Sequence, residues 1–204
     1  MVELVLQIKN LTISINNKKL ICSSDFSVQK GEVVGLFGES GSGKSVFSLF
    51  LLGLLNVSTF SVFADSAWFL KNKRRAFNFL SKNKRDWNRF RSKHISLVFQ
   101  DPATSLNPVL TCGQQLEEVF VLLGKKKQKK LCFTLFGEVG LVDVEKVYLS
   151  FPHELSGGQK QRVVIAISLA SNPDVLVADE PTTSLDPSIQ REVLDLIIRL
   201  KISR

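Results

Sequence analysis

Apolar and polar residues alternate with period two along Leu11-Thr12-Ile13-Ser14-Ile15, the pattern of a strand with one buried face. A β-like run, Leu4-Val5-Leu6-Gln7-Ile8, precedes it, and Asn16-Asn17 follows as a turn. After Gly31-Glu32, the apolar run Val33-Val34-Gly35-Leu36-Phe37 passes into a Gly/Ser-rich stretch, Gly38 to Gly43, and then into an apolar segment. That order predicts strand, loop, helix. Two further runs, Ile95-Ser96-Leu97-Val98-Phe99 and Val175-Leu176-Val177-Ala178, predict buried strands of a parallel sheet. Near the end, Asp186 is a plausible N-cap with Pro187 at the first helical position. Ile189, Val193, Ile197 and Leu200 then recur at helical spacing. No internal repeat is visible.

One stretch invites a membrane reading. Ser45 to Ala64 is 20 residues without a charge, long enough to cross a bilayer. Its dense apolar part is only Val46 to Val57, however, and polar residues interrupt it, so a buried helix followed by a turn is expected. The 204 residues suffice for a real core, and 44% apolar with 23% charged residues is a globular composition. Three cysteines, Cys22, Cys112 and Cys132, form no CxxC pair and no metal spacing, and read as buried thiols in a reducing compartment. Met1-Val2-Glu3 lacks a basic n-region, so no secretory signal peptide is expected.

Charge changes the picture in two places. The net charge is +8, yet residues 71–93 hold ten basic side chains against Asp86 alone, and residues 125–130 add five lysines. The rest of the chain is therefore net acidic. The simplest reading of both segments is solvated surface. Contact with an anionic lipid surface or with nucleic acid are the alternatives.

The chemistry concentrates in three segments. Gly38-Glu39-Ser40-Gly41-Ser42-Gly43-Lys44-Ser45 fits G-x-x-x-x-G-K-[ST] between a predicted strand and a predicted helix. Glycines let backbone N–H groups wrap phosphate oxygens, and the helix N-terminus adds partial positive charge. Lys44 supplies a full charge for the β- and γ-phosphates, and the Ser45 hydroxyl can ligate Mg²⁺. Val175 to Ala178 ends in Asp179-Glu180, which puts two carboxylates at the carboxyl edge of a parallel sheet, where open α/β folds bind ligands. Asp179 suits magnesium, and Glu180 suits a water attacking a γ-phosphate. Finally, Leu155-Ser156-Gly157-Gly158-Gln159 opens an apolar helix reaching Ala170, with Ser156 as N-cap and two glycines leaving N–H groups open to an anion. One chain does not need two such helix starts for one nucleotide, which suggests that the second serves a nucleotide held by another subunit.

These motifs and their order resemble the nucleotide-binding subunits of ABC transporters. Leu155–Gln159 matches that family's signature sequence, Gln100 its Q-loop glutamine, Asp179 and Glu180 its Walker B aspartate and catalytic glutamate, and Ser184-Leu185-Asp186 its D-loop. A narrower resemblance, to the ATPase subunits of bacterial oligopeptide, dipeptide and nickel importers, rests on Phe99-Gln100-Asp101-Pro102, Thr104-Ser105-Leu106-Asn107-Pro108, Phe151-Pro152-His153-Glu154 and Ala178 to Thr183. The resemblance implies an α/β fold: a P-loop NTPase core with a mostly parallel sheet, an N-terminal antiparallel β part and an inserted helical lobe. It makes residues 1–204 one domain, with 1–100 and 166–204 as core and 101–165 as the lobe. It implies ATP and Mg²⁺ as ligands, with Ser45, Gln100 and Asp179 serving the metal, Gln100 and Glu180 at the reacting phosphate, and Ser156 to Gln159 acting on the partner's ATP. The implied partners are a second ATPase subunit, closing head to tail around two ATP molecules, and transmembrane permease subunits. The implied place is peripheral, at the cytoplasmic face of the inner membrane, with no nucleic acid involved.

Two departures temper this. The family's adenine-stacking aromatic corresponds to Ile15, an aliphatic residue. The family's switch histidine falls past Arg204, and His94 and His153, the only histidines, sit where neither fits the role. The final strand is missing as well, so the chain reads as truncated, and nucleotide binding with poor hydrolysis is expected of it. The alternatives to an importer ATPase are therefore a nucleotide-binding, hydrolysis-poor remnant and a soluble ABC-type ATPase acting on nucleic acid or ribosomes.

Overall fold

The computed structural model describes residues 3–16, 18–56, 58–183 and 185–203. The chain divides into two compact units, Met1–Arg91 and Ser92–Arg204.

The first unit is built on an antiparallel sheet. β1 (Leu4–Ile15) pairs with β2 (Lys18–Gln29) on one side, and with β3 (Phe60–Phe63) and β4 (Ser66–Lys71) on the other; β5 (Arg74–Asn78) extends the sheet beyond β4. β1 joins the two expected runs into one strand. Leu6 and Ile8 point inward from even positions, whereas Leu11 and Ile13 do so from odd ones, and all four are at most 1% exposed. A shift of register between Ile8 and Leu11 absorbs the change of phase, with Asn10 at φ 53°. Asp25 of β2 holds the kink, accepting from Asn10 N at 2.9 Å and from Lys9 Nζ at 2.7 Å. The β4–β5 hairpin turns on Asn72 and Lys73, both in the left-handed region, as a tight hairpin turn requires. Apolar and polar residues do not alternate in sequence along β4 and β5, although burial alternates along β4, which is why the antiparallel part exceeds what the periodicity predicts.

α1 (Lys44–Leu51) is short, and after it the chain turns at Gly53 into β3. The uncharged stretch is thus a buried helix, a turn and a strand, and no helix among the described residues is long and apolar enough to cross a membrane. α2 (Lys84–Lys93) lies in the basic block and lays Trp87 and Phe90 against β5: Phe77 stacks on Phe90 at 4.1 Å and meets Trp87 edge-on at 4.7 Å. Gly53 permits this approach, because a Cβ there would lie 2.4 Å from the Trp87 ring. The run Val33–Phe37 departs from expectation. It joins no ladder among the described residues, and Phe37 is 97% exposed. A strand apolar on both faces is held by neighbouring strands and covering helices, and this run has no strand hydrogen-bonded beside it.

The second unit contains the parallel pair β6 (Ile95–Val98) and β7 (Val175–Ala178), in register from Ile95↔Val175 to Val98↔Ala178. α7 (Gly157–Leu169) packs on it, Ser168 Oγ donating to Leu97 O at 2.9 Å. Among the described residues only one edge of β7 is paired, and its residues are half-buried to exposed rather than buried. Between the two strands lie α3 (Pro102–Ser105), α4 (Cys112–Leu122), α5 (Lys129–Glu138), α6 (Val144–Leu149) and a 3₁₀ turn, Pro152–Glu154. Local chemistry starts α3, α4 and α6: Asp101 accepts from Ala103 N, Thr111 forms a capping box with Gln114, and Asp143 accepts from Lys146 N. Leu116, Phe120, Phe136, Val163 and Ile165 form one core with Val193 and Leu196 of α8 (Pro187–Ser203).

Candidate functional site

In the first unit the loop Gly38–Gly43 leads into α1 with Lys44 as its first residue. Gly41 and Gly43 stand at φ 79° and 97°, conformations that a side-chain-bearing residue adopts only with strain. Gly43 is also buried, and a Cβ there would press at 3.3 Å on the Leu20 carbonyl. Lys44 folds back over the loop, its ammonium donating to Gly38 O at 2.8 Å and Glu39 O at 2.9 Å. Those bonds fix a full positive charge beside the helix N-terminus, where backbone amides and the helix dipole already favour an anion. Glu39, Ser40 and Ser42 are exposed along the loop, and Ser42 N closes a turn onto Glu39 O at 3.2 Å. Ser45, one residue into the helix, is exposed. Ile15 sits in the ladder opposite Lys18 and Phe60, half-buried.

In the second unit the parallel pair sets the geometry. Asp179 N donates to Val98 O at 3.1 Å, carrying the ladder one residue past β7. Gln100 and Glu180 thereby leave the same sheet edge and meet: Gln100 Nε2 donates to Glu180 Oε2 at 3.2 Å. Thr183 Oγ1 donates to the same oxygen at 3.1 Å. Glu180 itself stands at φ 46°, the left-handed region, which costs a residue with a Cβ roughly 1–2 kcal/mol. Of the expected D-loop, Ser184 lies outside the described residues, Leu185 is buried and Asp186 is exposed.

The helix start at Ser156 also forms as its residues predict. Ser156 Oγ accepts from Gln159 N, while Gln159 Oε1 accepts from Ser156 N at 3.0 Å, a reciprocal capping box. Gly157 and Gly158 occupy the first turn, where amides have no intrahelical carbonyl to bond. Gly158 is buried, and a Cβ on it would lie 2.8 Å from Ile189 Cγ2 of α8.

The two histidines are structural or surface groups. His94 Nδ1 lies 2.6 Å from Asp174 Oδ2, bridging the starts of β6 and β7, and His153 stacks on Phe151 at 5.6 Å. Cys112 and Cys132 are fully buried and burial pushes each thiol up to about 11, but Cys22 is exposed, so the expectation of three buried thiols fails for one. Cys22 lies on β2, whose side chains are exposed or half-buried. In the basic block, nine of the ten cationic residues are exposed, while Phe79, Trp87 and Phe90 are buried in the aromatic cluster. The rings needed for stacking on bases are thus used for packing.

Ser45 in the first unit offers a hydroxyl oxygen, and Gln100 and Asp179 in the second offer an amide and a carboxylate oxygen. Such hard donors suit a small divalent cation that keeps several waters and shares a phosphate. No group of three or more His, Cys, Asp or Glu residues able to hold a metal occurs among the described residues. The sequence marks Ile189 only as an apolar helix position and Thr183 only as part of a motif; the bond of Thr183 to Glu180 and the approach of Ile189 to Gly158 are contacts that only folding creates. Thr183, three residues beyond Glu180 in one turn, was the more findable of the two.

Comparison with known proteins bears on the same residues. The family model described as ABC transporter matches residues 22–183. The chain is 41% identical over 200 residues to the oligopeptide transport ATP-binding protein AppD of Bacillus subtilis (strain 168), covering 95% of this chain and 60% of that protein. It is 37% identical over 207 residues to the dipeptide transport ATP-binding protein DppD of Lactococcus lactis subsp. cremoris (strain MG1363), covering 98% of this chain and 58% of that one. The chain thus spans about 60% of the length of these relatives. Among solved structures, the dimeric MJ0796, a bacterial ABC transporter cassette, superposes with a TM-score of 0.73 at 26% identity, over 97% of this chain and 83% of that chain.

Proposed function

Because the chain belongs to the ABC transporter family, we propose that it is the ATP-binding and ATP-hydrolysing subunit that energises an importer of peptides or a similar small solute. The observation that carries the reading is the Gly38–Ser45 loop. It has left-handed glycines, a helix that starts at Lys44 and an ammonium fixed on the loop's own carbonyls. The peptide assignment draws on the names of the two relatives above.

In this reading Gly38, Glu39, Ser40, Gly41, Ser42 and Gly43 wrap the phosphates with backbone amides, and Lys44 neutralises the β- and γ-phosphates. Ser45, Gln100 and Asp179 hold Mg²⁺, which when bound offsets phosphate charge. Glu180 orients the attacking water through hydrogen bonding. Ser156, Gly157, Gly158 and Gln159 present their helix start to the nucleotide of a second ATPase subunit, identical or paralogous; the dimeric solved cassette supports such pairing. Residues 101–165 form the lobe that answers to permease subunits, with the protein peripheral at the cytoplasmic face of the membrane and residues 1–100 and 166–204 forming the nucleotide core.

Calorimetric titration with MgATP tests the reading. The chain binds with saturable stoichiometry, and Lys44→Ala weakens binding at least tenfold, because charge-assisted hydrogen bonds contribute about 1.5–3 kcal/mol. Equal affinity in the two proteins would refute it. Restoration of peptide uptake in cells lacking the corresponding ATPase subunit, lost in Glu180→Gln, tests the transport role.

A further inference from the structure

We propose that Thr183 is a positioning residue for Glu180, fixing which carboxylate oxygen faces the attacking water; this rests on the ATPase reading above. Glu180 lies on an exposed coil past the end of β7, where nothing in the backbone alone restrains a long side chain. Among the described residues two donors restrain it instead, and both take the same oxygen: Gln100 Nε2 at 3.2 Å and Thr183 Oγ1 at 3.1 Å converge on Oε2. Oε1 takes part in neither bond.

The two donors differ in how they are tied to Glu180. Thr183 belongs to the same turn, its backbone N–H donating to Glu180 O at 3.3 Å, so the hydroxyl travels with the carboxylate. Gln100 sits on the separate segment after β6, which leads directly into Asp101 and α3. The oxygen of that same amide is the one assigned to magnesium. The Gln100 amide is therefore shared between two tasks, whereas the Thr183 hydroxyl serves Glu180 from within its own turn. The left-handed φ of 46° at Glu180 adds a reason for a local anchor, because a strained backbone persists only where its surroundings hold it.

Two variants separate this from a turn that merely needs a hydroxyl to fold. Thr183→Val keeps the β-branched shape and removes the donor, while Thr183→Ser keeps the donor. The full chain is labelled with ¹³C-glutamate, and the Glu180 side-chain carboxyl resonance is assigned by its loss in Glu180→Gln. The resonance moves in Thr183→Val and returns in Thr183→Ser. With MgATP, Thr183→Val lowers kcat about tenfold while KM stays within about twofold, and Thr183→Ser restores kcat. An unmoved Glu180 resonance in Thr183→Val, or wild-type kcat in that variant, overturns the proposal. Failure of the wild-type chain to bind MgATP sinks the ATPase reading instead, and the resonance comparison still decides whether Thr183 holds Glu180.

Discussion

Replacing Gly158 by Ala is expected to damage the fold, whereas the same change one residue earlier is not. A Cβ at Gly158 would stand 2.8 Å from Ile189 Cγ2, while at Gly157 the nearest atom, Leu185 Cδ2, is at an ordinary 3.4 Å. Ile189 is half-buried and its Cγ2 sits on the stiff branched carbon, so relief requires backbone movement between α7 and α8 rather than a rotamer change. Overpacking of this kind costs about 1–3 kcal/mol. Exchanging a helical glycine for alanine returns roughly 0.5–1 kcal/mol. Gly158→Ala should therefore destabilise by about 1–2 kcal/mol, and Gly157→Ala should be neutral or slightly stabilising. Ile189→Ala destabilises on its own, but in combination with Gly158→Ala it removes the clash, so the double variant is about 1–2 kcal/mol more stable than the sum of the single changes. Urea unfolding followed by far-UV circular dichroism reads this, because the helices concentrate in the Ser92–Arg204 unit, whereas both tryptophans, Trp68 and Trp87, lie in the other. Additivity within about 0.5 kcal/mol, or equal loss from Gly157→Ala, would refute the contact argument.

Further outcomes follow from the same contacts. Gln115 is buried and bonds Asn107 N at 2.9 Å, Asn107 O at 3.0 Å and Leu110 O at 3.1 Å, so Gln115→Ala should cost about 2–3 kcal/mol of Ser92–Arg204 stability in the same urea assay. Cys22 should react at once with a thiol reagent, and Cys112 and Cys132 only after denaturant is added, as counted by absorbance; three fast thiols would contradict the burial. Those two thiols rise from 9.0 to about 11 in the fold, so above pH 9 the unfolded chain releases its protons first. Stability is then complete below about pH 9 and falls through pH 11, by on the order of 2 kcal/mol per thiol. Replacing both cysteines by alanine should flatten that part of the pH–stability curve.

Much of the site was legible because its motifs are local. The Ser156 cap, the start of α8 at Pro187, and the strand edge ending in Asp179-Glu180 each depend on a few neighbouring residues, and each forms where its residues indicate. The antiparallel sheet was less legible. Its central strand changes phase at Asn10, and a period-two test reads such a strand as two runs. The Val33–Phe37 run failed for a related reason: composition states that a segment is apolar, but a strand exists only by pairing, and no described strand pairs with it. α2 was hidden by its charge. Arg85, Arg89 and Lys93 face solvent while only Trp87 and Phe90 are buried, too few apolar positions for a helical period to stand out.

The two glycine-rich motifs look alike in sequence but use glycine for different physical reasons. In the phosphate loop, Gly41 and Gly43 are required by backbone angle: their φ values of 79° and 97° disfavour any side chain, whatever space surrounds them. At the second motif the helix begins normally, neither glycine has a positive φ, and Gly158 is required by contact with Ile189. It follows that the loop's glycines cannot be rescued by carving space nearby, whereas Gly158 can. The start of α7 thus lies close enough to Ile189 of α8 that a methyl group on Gly158 is excluded, and α8 follows Glu180 and Thr183 in the chain.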